Sequence, residues 1–217
     1  MAMKFLRSSI WVFTGLLITV PLTAFVMVHW YQNKYDRLPF FGGYDVSANG
    51  ISVQHTTNDF EFENQDGKKF SSDKIKNKIV IVNFFFTSCK SVCPNMMIHV
   101  KKMQENFLND SAIAFVSFTV DPETDSTARL KWYCREYHID NNNWNLLTGD
   151  KREIYKLARK SFYLSAGDGD GGKDDFIHSD QLVLIDKSKH IRGYYDGTDD
   201  TALKQLNYDI KKLENEN

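Results

Sequence analysis

Cys89-Lys90-Ser91-Val92-Cys93-Pro94 sets two thiols three residues apart, just after the apolar run Phe84-Phe85-Phe86. Thiolate is both the nucleophile of disulfide exchange and a soft-metal ligand. Pro94 suits the first turn of a helix, so the pair falls where a strand's carboxyl end meets a helix N-terminus, the place where open α/β sheets bind ligands. The free N–H groups and dipole of that terminus favour thiolate. A C-x-x-C pair is the usual redox signature, and one extra residue opens the loop so that both sulfurs can face one metal ion. A structural disulfide or two small buried side chains is the plain alternative. His178, in Asp174-Asp175-Phe176-Ile177-His178-Ser179-Asp180, could add an imidazole nitrogen. Two sulfurs and one nitrogen suit copper(I), zinc or oxidised copper; a surface loop histidine is the simpler reading of His178 by itself.

The elements that must position these residues follow from periodicity. Phe60 and Phe62 alternate with acidic residues as a half-buried strand, Gln65-Asp66-Gly67-Lys68 is a turn, and Ile79 to Phe86 is a nearly continuous apolar strand. Such a strand is covered on both faces, as in parallel sheets flanked by helices. A helix is expected from Pro94 to about Phe107, a strand over Ala112 to Val120, and a helix over Ser126 to Tyr137. Further on come a short strand over Trp144 to Leu147, a helix over Lys151 to Arg159, a hairpin of Gln181 to Ile185 with His190 to Tyr195, and a last helix carrying Leu203, Leu206, Ile210 and Leu213. That order is α/β with a mixed central sheet flanked by helices, and a thioredoxin-like fold fits it. Thioredoxin-type oxidoreductases usually place a cis-proline loop before the strand that here begins at Gln181, but the four prolines are Pro21, Pro39, Pro94 and Pro122. His178 occupies that place instead, beside the cysteines.

The remaining candidates read as structure. Cys134 shares the apolar register of Leu130 and Tyr137, as a buried, inert thiol. Met96 and Met97 lie at core spacing. His55, His99, His138 and His190 are expected at the surface or half-buried. Asp168-Gly169-Asp170-Gly171-Gly172 lacks the spacing and terminal glutamate of an EF-hand and is expected to be a mobile acidic loop that lets His178 move.

Composition sets the surroundings. The 217 residues carry 27 basic and 28 acidic side chains, a net charge of -1, and no basic stripe, so nothing here is built to hold nucleic acid. Three cysteines are too few for a disulfide scaffold in a chain of this size. Between Arg7 and Lys34 no Asp, Glu, Lys or Arg occurs, and the apolar run suffices to cross a bilayer, with Trp11, Trp30 and Tyr31 at its ends. It is longer than a signal-peptide core and has no convincing A-x-A step, so an uncleaved single-pass anchor is expected. Lys4 and Arg7 point to a cytoplasmic N-terminus and an extracytoplasmic domain, in bacterial terms on the periplasmic side of the inner membrane. The expected layout is an anchor over 1–33, a linker over 34–50 marked by Pro39 and Gly42-Gly43, and one domain over 51–217, whose net charge with the linker is -3.

From about Phe60 to the C-terminus the sequence resembles the Sco family of copper chaperones, also called SenC. The resemblance is carried by Gln65-Asp66-Gly67-Lys68 through Phe86, by Phe86-Thr87-Ser88-Cys89 with Val92-Cys93-Pro94, and by Val120-Asp121-Pro122-Glu123-Thr124-Asp125. Leu147-Thr148-Gly149, and His178 ahead of a strand ending Leu184-Ile185-Asp186, complete it. It implies a copper site made by Cys89, Cys93 and His178, and delivery of copper to the binuclear copper site of cytochrome c oxidase. Lys90 and Ser91 depart from the family's frequent proline and acidic residue without removing a ligand; Lys90 could lower the thiol pKa values or steer a partner. Asp121 is expected to turn the chain with Pro122 and cap the following helix, or to support the site or a docking partner.

Two classes of function therefore stand side by side. One is a metallochaperone that receives copper from a donor protein and passes it to the oxidase copper-site subunit by ligand exchange. The other is a thiol:disulfide oxidoreductase in which Cys89 and Cys93 form the redox-active pair that reduces an extracytoplasmic partner. A peroxiredoxin-like peroxidase is weaker, because such enzymes place threonine three residues before the reactive cysteine and Thr87 is two before Cys89.

Overall fold

The computed structural model describes residues 2–35, 37–47, 49–164 and 179–216, in two units, Met1–Arg37 and Leu38–Asn217. The first unit is helix α1 (Ala2–Tyr35), which includes Pro21. Its segment Phe13–Tyr31 is long and apolar enough to cross a membrane. The Thr19 and Thr23 hydroxyls donate to the carbonyls of Gly15 and Thr19, so these polar groups are satisfied within the helix, as a lipid surrounding requires.

The second unit is built on a seven-stranded sheet. Its strands are β3 (Glu61–Asn64), β4 (Lys69–Ser71), β5 (Ile79–Phe85), β6 (Ile113–Thr119), β7 (Trp144–Thr148), β8 (Gln181–Ile185) and β9 (Ile191–Asp196), in the order β4-β3-β7-β6-β5-β8-β9. A separate hairpin pairs β1 (Tyr44–Val46) with β2 (Ser52–Gln54). The three central strands β5, β6 and β7 are parallel, and β8, β9, β3 and β4 add antiparallel margins. Helices α2 (Val92–Asn106), α3 (Thr127–Glu136), α4 (Lys151–Lys156) and α5 (Asp200–Asn215) accompany it. This mixed α/β sheet flanked by helices is the thioredoxin-like architecture.

The unbroken apolar run of β5 has a direct cause. Successive strand side chains alternate faces, and both faces are covered. Ile79, Ile81 and Phe85 join Met96, Met97, Val100, Leu130, Leu206 and Ile210 in one core, while Val80, Val82 and Phe84 join Phe62, Val116, Tyr155 and Phe162 in another. Asn83 is the polar exception. Its amide oxygen accepts from the Ser117 hydroxyl, which in turn accepts from Trp144 Nε1, so the buried group is paired.

Two stretches differ from the sequence reading. The expected linker joins the domain from Leu38 onward: Leu38 is buried, Phe41 bridges to Ile191, and Arg192 donates to the carbonyls of Leu38 and Pro39. A single buried leucine sets no apolar period, and the bonds that hold it are made by backbone groups. Helix α4 ends at Lys156, and Leu157–Ser161 continues as a wider π turn. That turn aims the Ser161 carbonyl at His55 Nε2, 2.9 Å away, while His55 Nδ1 lies 2.8 Å from Asp45. His55 is thus buried, at 3% exposure, and not at the surface or half-buried as expected. Gly42, at φ +91°, lets the backbone pass over it; a Cβ there would lie 2.8 Å from the His55 ring.

Arg192, 4% exposed, closes the strap. Its guanidinium reaches Asp186 Oδ2 at 2.9 Å and Glu216 Oε2 at 2.7 Å, and stacks over Phe40 at 4.3 Å. Removing it takes the cationic partner from one oxygen of each of two half-buried carboxylates. Arg192→Ala should therefore cost about 3 kcal/mol, or roughly 6–12 °C in melting midpoint, measured by thermal unfolding of the intact chain; an unchanged midpoint would show the strap to be incidental.

Candidate metal and redox site

The loop from Phe86 to Ser91 leaves β5 and enters α2, and its backbone arrangement explains the chemistry of the pair. Cys89 N–H donates to the Phe86 carbonyl at 3.3 Å, curling the loop back over the strand end. Ser91, at the N-cap of α2, makes no side-chain cap. The first N–H groups of a helix need an acceptor, and the Cys89 sulfur provides one. Burial raises the Cys89 thiol, but hydrogen bonds from the backbone and side chain of Cys93 and of Ser91 outweigh it and bring the pKa down to about 7. The Ser91 hydroxyl lies 3.7 Å from Cys89 Sγ. Lys90, expected either to lower the thiol values or to steer a partner, is not among these causes.

Cys93 has the opposite balance. It is buried at 7% exposure, and desolvation, together with the Cys89 hydrogen bond and charge, pushes its thiol up to about 12 against a lowering contact from the Phe86 backbone. Both are free thiols. The arrangement offers one reactive, half-exposed sulfur and one held in reserve beneath it. Both cysteines line a cavity of about 200 Å³ whose wall also includes Phe86, Val92, Val120, Ser179 and Asp180. A larger cleft of about 430 Å³, between Asn58–Glu63 and Gly149–Leu157, contains neither cysteine.

His178 and the acidic segment Asp168–Gly172 lie outside the described residues. Among the described residues, no three His, Cys, Asp or Glu side chains form a group that could hold a metal ion. Cys134 is buried at 4% exposure and its thiol is pushed up to about 12, by burial first and the Asp66 charge second, consistent with an inert core residue. Met96 and Met97 are fully buried in the core. His99, on α2, directs Nδ1 at the Gly197 carbonyl, 2.9 Å away.

The residue that the sequence reading passed over is Asp125. Fully buried, it accepts from the Thr87 N–H at 3.0 Å, from the Thr87 hydroxyl and from the Thr119 hydroxyl. It thereby ties the cysteine loop to the end of β6. The nearby Asp121 turns the chain as expected, its carbonyl accepting from Asp125 N–H at 2.8 Å. It does not cap α3: that role belongs to Ser126, whose hydroxyl accepts from Arg129 N–H at 3.3 Å. The spacing of Asp125 from Pro122 is visible in the sequence, but its burial is created by the distant Thr87.

Two measurements follow. Alkylation of the reduced chain by iodoacetamide should rise through a midpoint near pH 7 as Cys89 ionises, falling about tenfold per pH unit below it, with Cys93 protected until far higher pH; equal reactivity of the two thiols would contradict this geometry. Asp125→Ala leaves three buried donors without an acceptor and should lower unfolding stability by roughly 3 kcal/mol or more, read by denaturant titration.

Comparison with known proteins agrees with the fold. The family model described as SCO1/SenC matches residues 48–213. A SCO1 protein homolog of Bacillus subtilis (strain 168) is 32% identical over 154 residues, covering 70% of this chain and 79% of the relative. The solved structure of BsSco, described as having a disulfide switch and as a member of the Sco family of cytochrome c oxidase assembly proteins, superposes with a TM-score of 0.64 at 30% identity. That match covers 75% of this chain and 95% of BsSco. Arabidopsis thaliana ScoI with copper bound shares the fold, with a TM-score of 0.58 at 23% identity over 72% of this chain and 99% of that one. On the extent of the family match and these likenesses, the chain belongs to the SCO1/SenC family.

Proposed function

We propose that this chain is a membrane-anchored copper chaperone that holds copper through Cys89, Cys93 and His178 and delivers it to the binuclear copper site of cytochrome c oxidase. The observation that carries this reading is the pair of unequal thiols opening on one cavity, whose wall includes Ser179, one peptide bond after His178. Family membership supports it, as do BsSco's place among oxidase assembly proteins and the copper bound to the Arabidopsis relative. The anchor would be residues 1–33, with the domain on the extracytoplasmic side of the cytoplasmic membrane, the orientation favoured by Lys4 and Arg7.

Copper is cargo here, and the chemistry is ligand exchange. Cys89, ionised near neutral pH, takes the ion first. Cys93 must lose its proton to follow, and the metal's charge supplies the drive that the apolar surroundings withhold. An imidazole nitrogen from His178 completes a three-coordinate site, open on one side for an incoming cysteine or histidine of the acceptor. Exchange one ligand at a time avoids releasing a bare ion.

The same thiol asymmetry favours a second reading, a thiol:disulfide reductase. Cys89 thiolate would attack an acceptor disulfide, and Cys93 would then displace the mixed disulfide. The Cys89–Cys93 bond forms, the acceptor bond breaks, and two electrons and two protons pass to the acceptor thiols. The disulfide switch described for BsSco suits it.

His178→Ala separates the two. Copper affinity of the full chain in detergent should fall by roughly tenfold or more, with the nitrogen shell lost from X-ray absorption, while dithiol exchange persists. If the reduced wild-type chain binds no copper tightly, the chaperone reading fails; if it binds copper with or without His178 equally, the proposed ligand set fails.

A further inference from the structure

Helix α3 carries Arg129, which among the described residues makes a side-chain hydrogen bond through Nε alone. Arg129 Nε donates to the Thr87 hydroxyl at 3.0 Å, two residues before Cys89. Its guanidinium carbon lies 4.2 Å from the ring centroid of Trp132, one helical turn on. Trp132 is 40% exposed, although indole is among the side chains most favoured by burial. Among the described residues, no hydrogen bond or ion pair reaches the two terminal nitrogens of Arg129. Arg192 shows the contrast: its terminal nitrogens are occupied by Asp186, Glu216 and the Leu38 carbonyl.

A guanidinium pinned at Nε and stacked on an aromatic ring has already lost most of its side-chain freedom. Its remaining edge is a rigid pair of parallel donors, the shape that matches a carboxylate bidentately. Arginine and tryptophan are also the residue types that concentrate binding energy at protein interfaces. On the cysteine loop and the start of α2, Lys90 is exposed and Val92 is 39% exposed.

We infer that Arg129 and Trp132 form a docking platform for the protein that exchanges ligands with Cys89, and that this partner presents a carboxylate to the terminal nitrogens of Arg129 while packing an apolar side chain against Trp132. The platform rests on the proposed exchange at the cysteine pair, but its own test is binding. It sets the approach of the partner because Arg129 and the cysteine loop meet at a single hydroxyl, that of Thr87.

The test uses the full chain in detergent, without copper, and the soluble copper-site domain of the cognate cytochrome c oxidase, titrated by calorimetry. Arg129→Ala and Trp132→Ala should each weaken binding by about tenfold, and Arg129→Lys should recover only part of it, since an ammonium neither stacks as a plane nor forks. Trp132 lies outside the wall of the cysteine cavity and meets the Thr87 network only through Arg129, so the thermal midpoint of Trp132→Ala, measured alongside, separates lost docking from lost folding. Raising salt should weaken wild-type binding more than Arg129→Ala binding. Wild-type affinity in both alanine variants overturns the platform. Absence of tight copper binding with the affinity pattern intact would overturn the chaperone reading and leave the platform standing.

Discussion

A buried carboxylate with three hydrogen-bond donors around it cannot be moved cheaply, and Asp125 is placed so that the cysteine loop cannot move without it. Thr87 contributes both its N–H and its hydroxyl to Asp125, and Thr119 contributes its hydroxyl. The strand end, the loop and the start of α3 are therefore fixed relative to one another before any metal arrives. A carboxyl group taken wholly out of water costs several kcal/mol unless its oxygens are hydrogen-bonded, so this arrangement is stable only as a complete set. The consequence for function is preorganisation: the loop's curvature, and with it the hydrogen bonds aimed at Cys89 Sγ, come from the fold and need no ligand.

The same curvature makes the two thiols unequal. Cys89 collects the N–H groups that an ordinary helix would spend on a serine or aspartate cap, while Cys93, one turn into the core, meets mostly apolar neighbours. A carrier benefits from this difference. One sulfur is available as thiolate to begin exchange, and the other stays protonated until a cation or a mixed disulfide pulls it into play. Two thiolates of equal acidity would repel one another in the empty chain, and two ordinary thiols would start the exchange slowly.

Much of this was legible in the sequence where a residue's neighbours along the chain decide its role. The β5 run, the hairpin of β8 and β9, and the amphipathic pattern of α5 report burial through periodicity alone. The thiol pair was visible because its spacing and its strand-to-helix setting are local. What could not be read depends on residues far apart in sequence. Asp125 looks like any acidic turn residue until Thr87 is brought against it, and Asp121, one position before Pro122, attracts the attention. Leu38 and Pro39 look like linker because their partners, Arg192 and Glu216, lie more than 150 residues away, and the bonds use the Leu38 N–H and the Leu38 and Pro39 carbonyls, backbone groups that carry no sequence signature. His55 carries no sequence sign of its burial for the same reason: its ring meets the Ser161 carbonyl and lies under Gly42, where no side chain intervenes.

Thr87 joins these themes at a single atom. Its hydroxyl donates to Asp125 and accepts from Arg129, so the support of the cysteine loop and the proposed docking group share one oxygen. A hydroxyl has a single proton, and with that proton committed to the buried carboxylate its lone pairs must face the guanidinium. The orientation of Arg129 is thus dictated from the inside of the protein outward, through Asp125 and Thr87 to a surface where Trp132 holds the plane of the guanidinium in place. A partner that engages Arg129 is registered against the same framework that positions Cys89, which is the geometric condition for passing an ion between two sets of ligands without letting it escape to water.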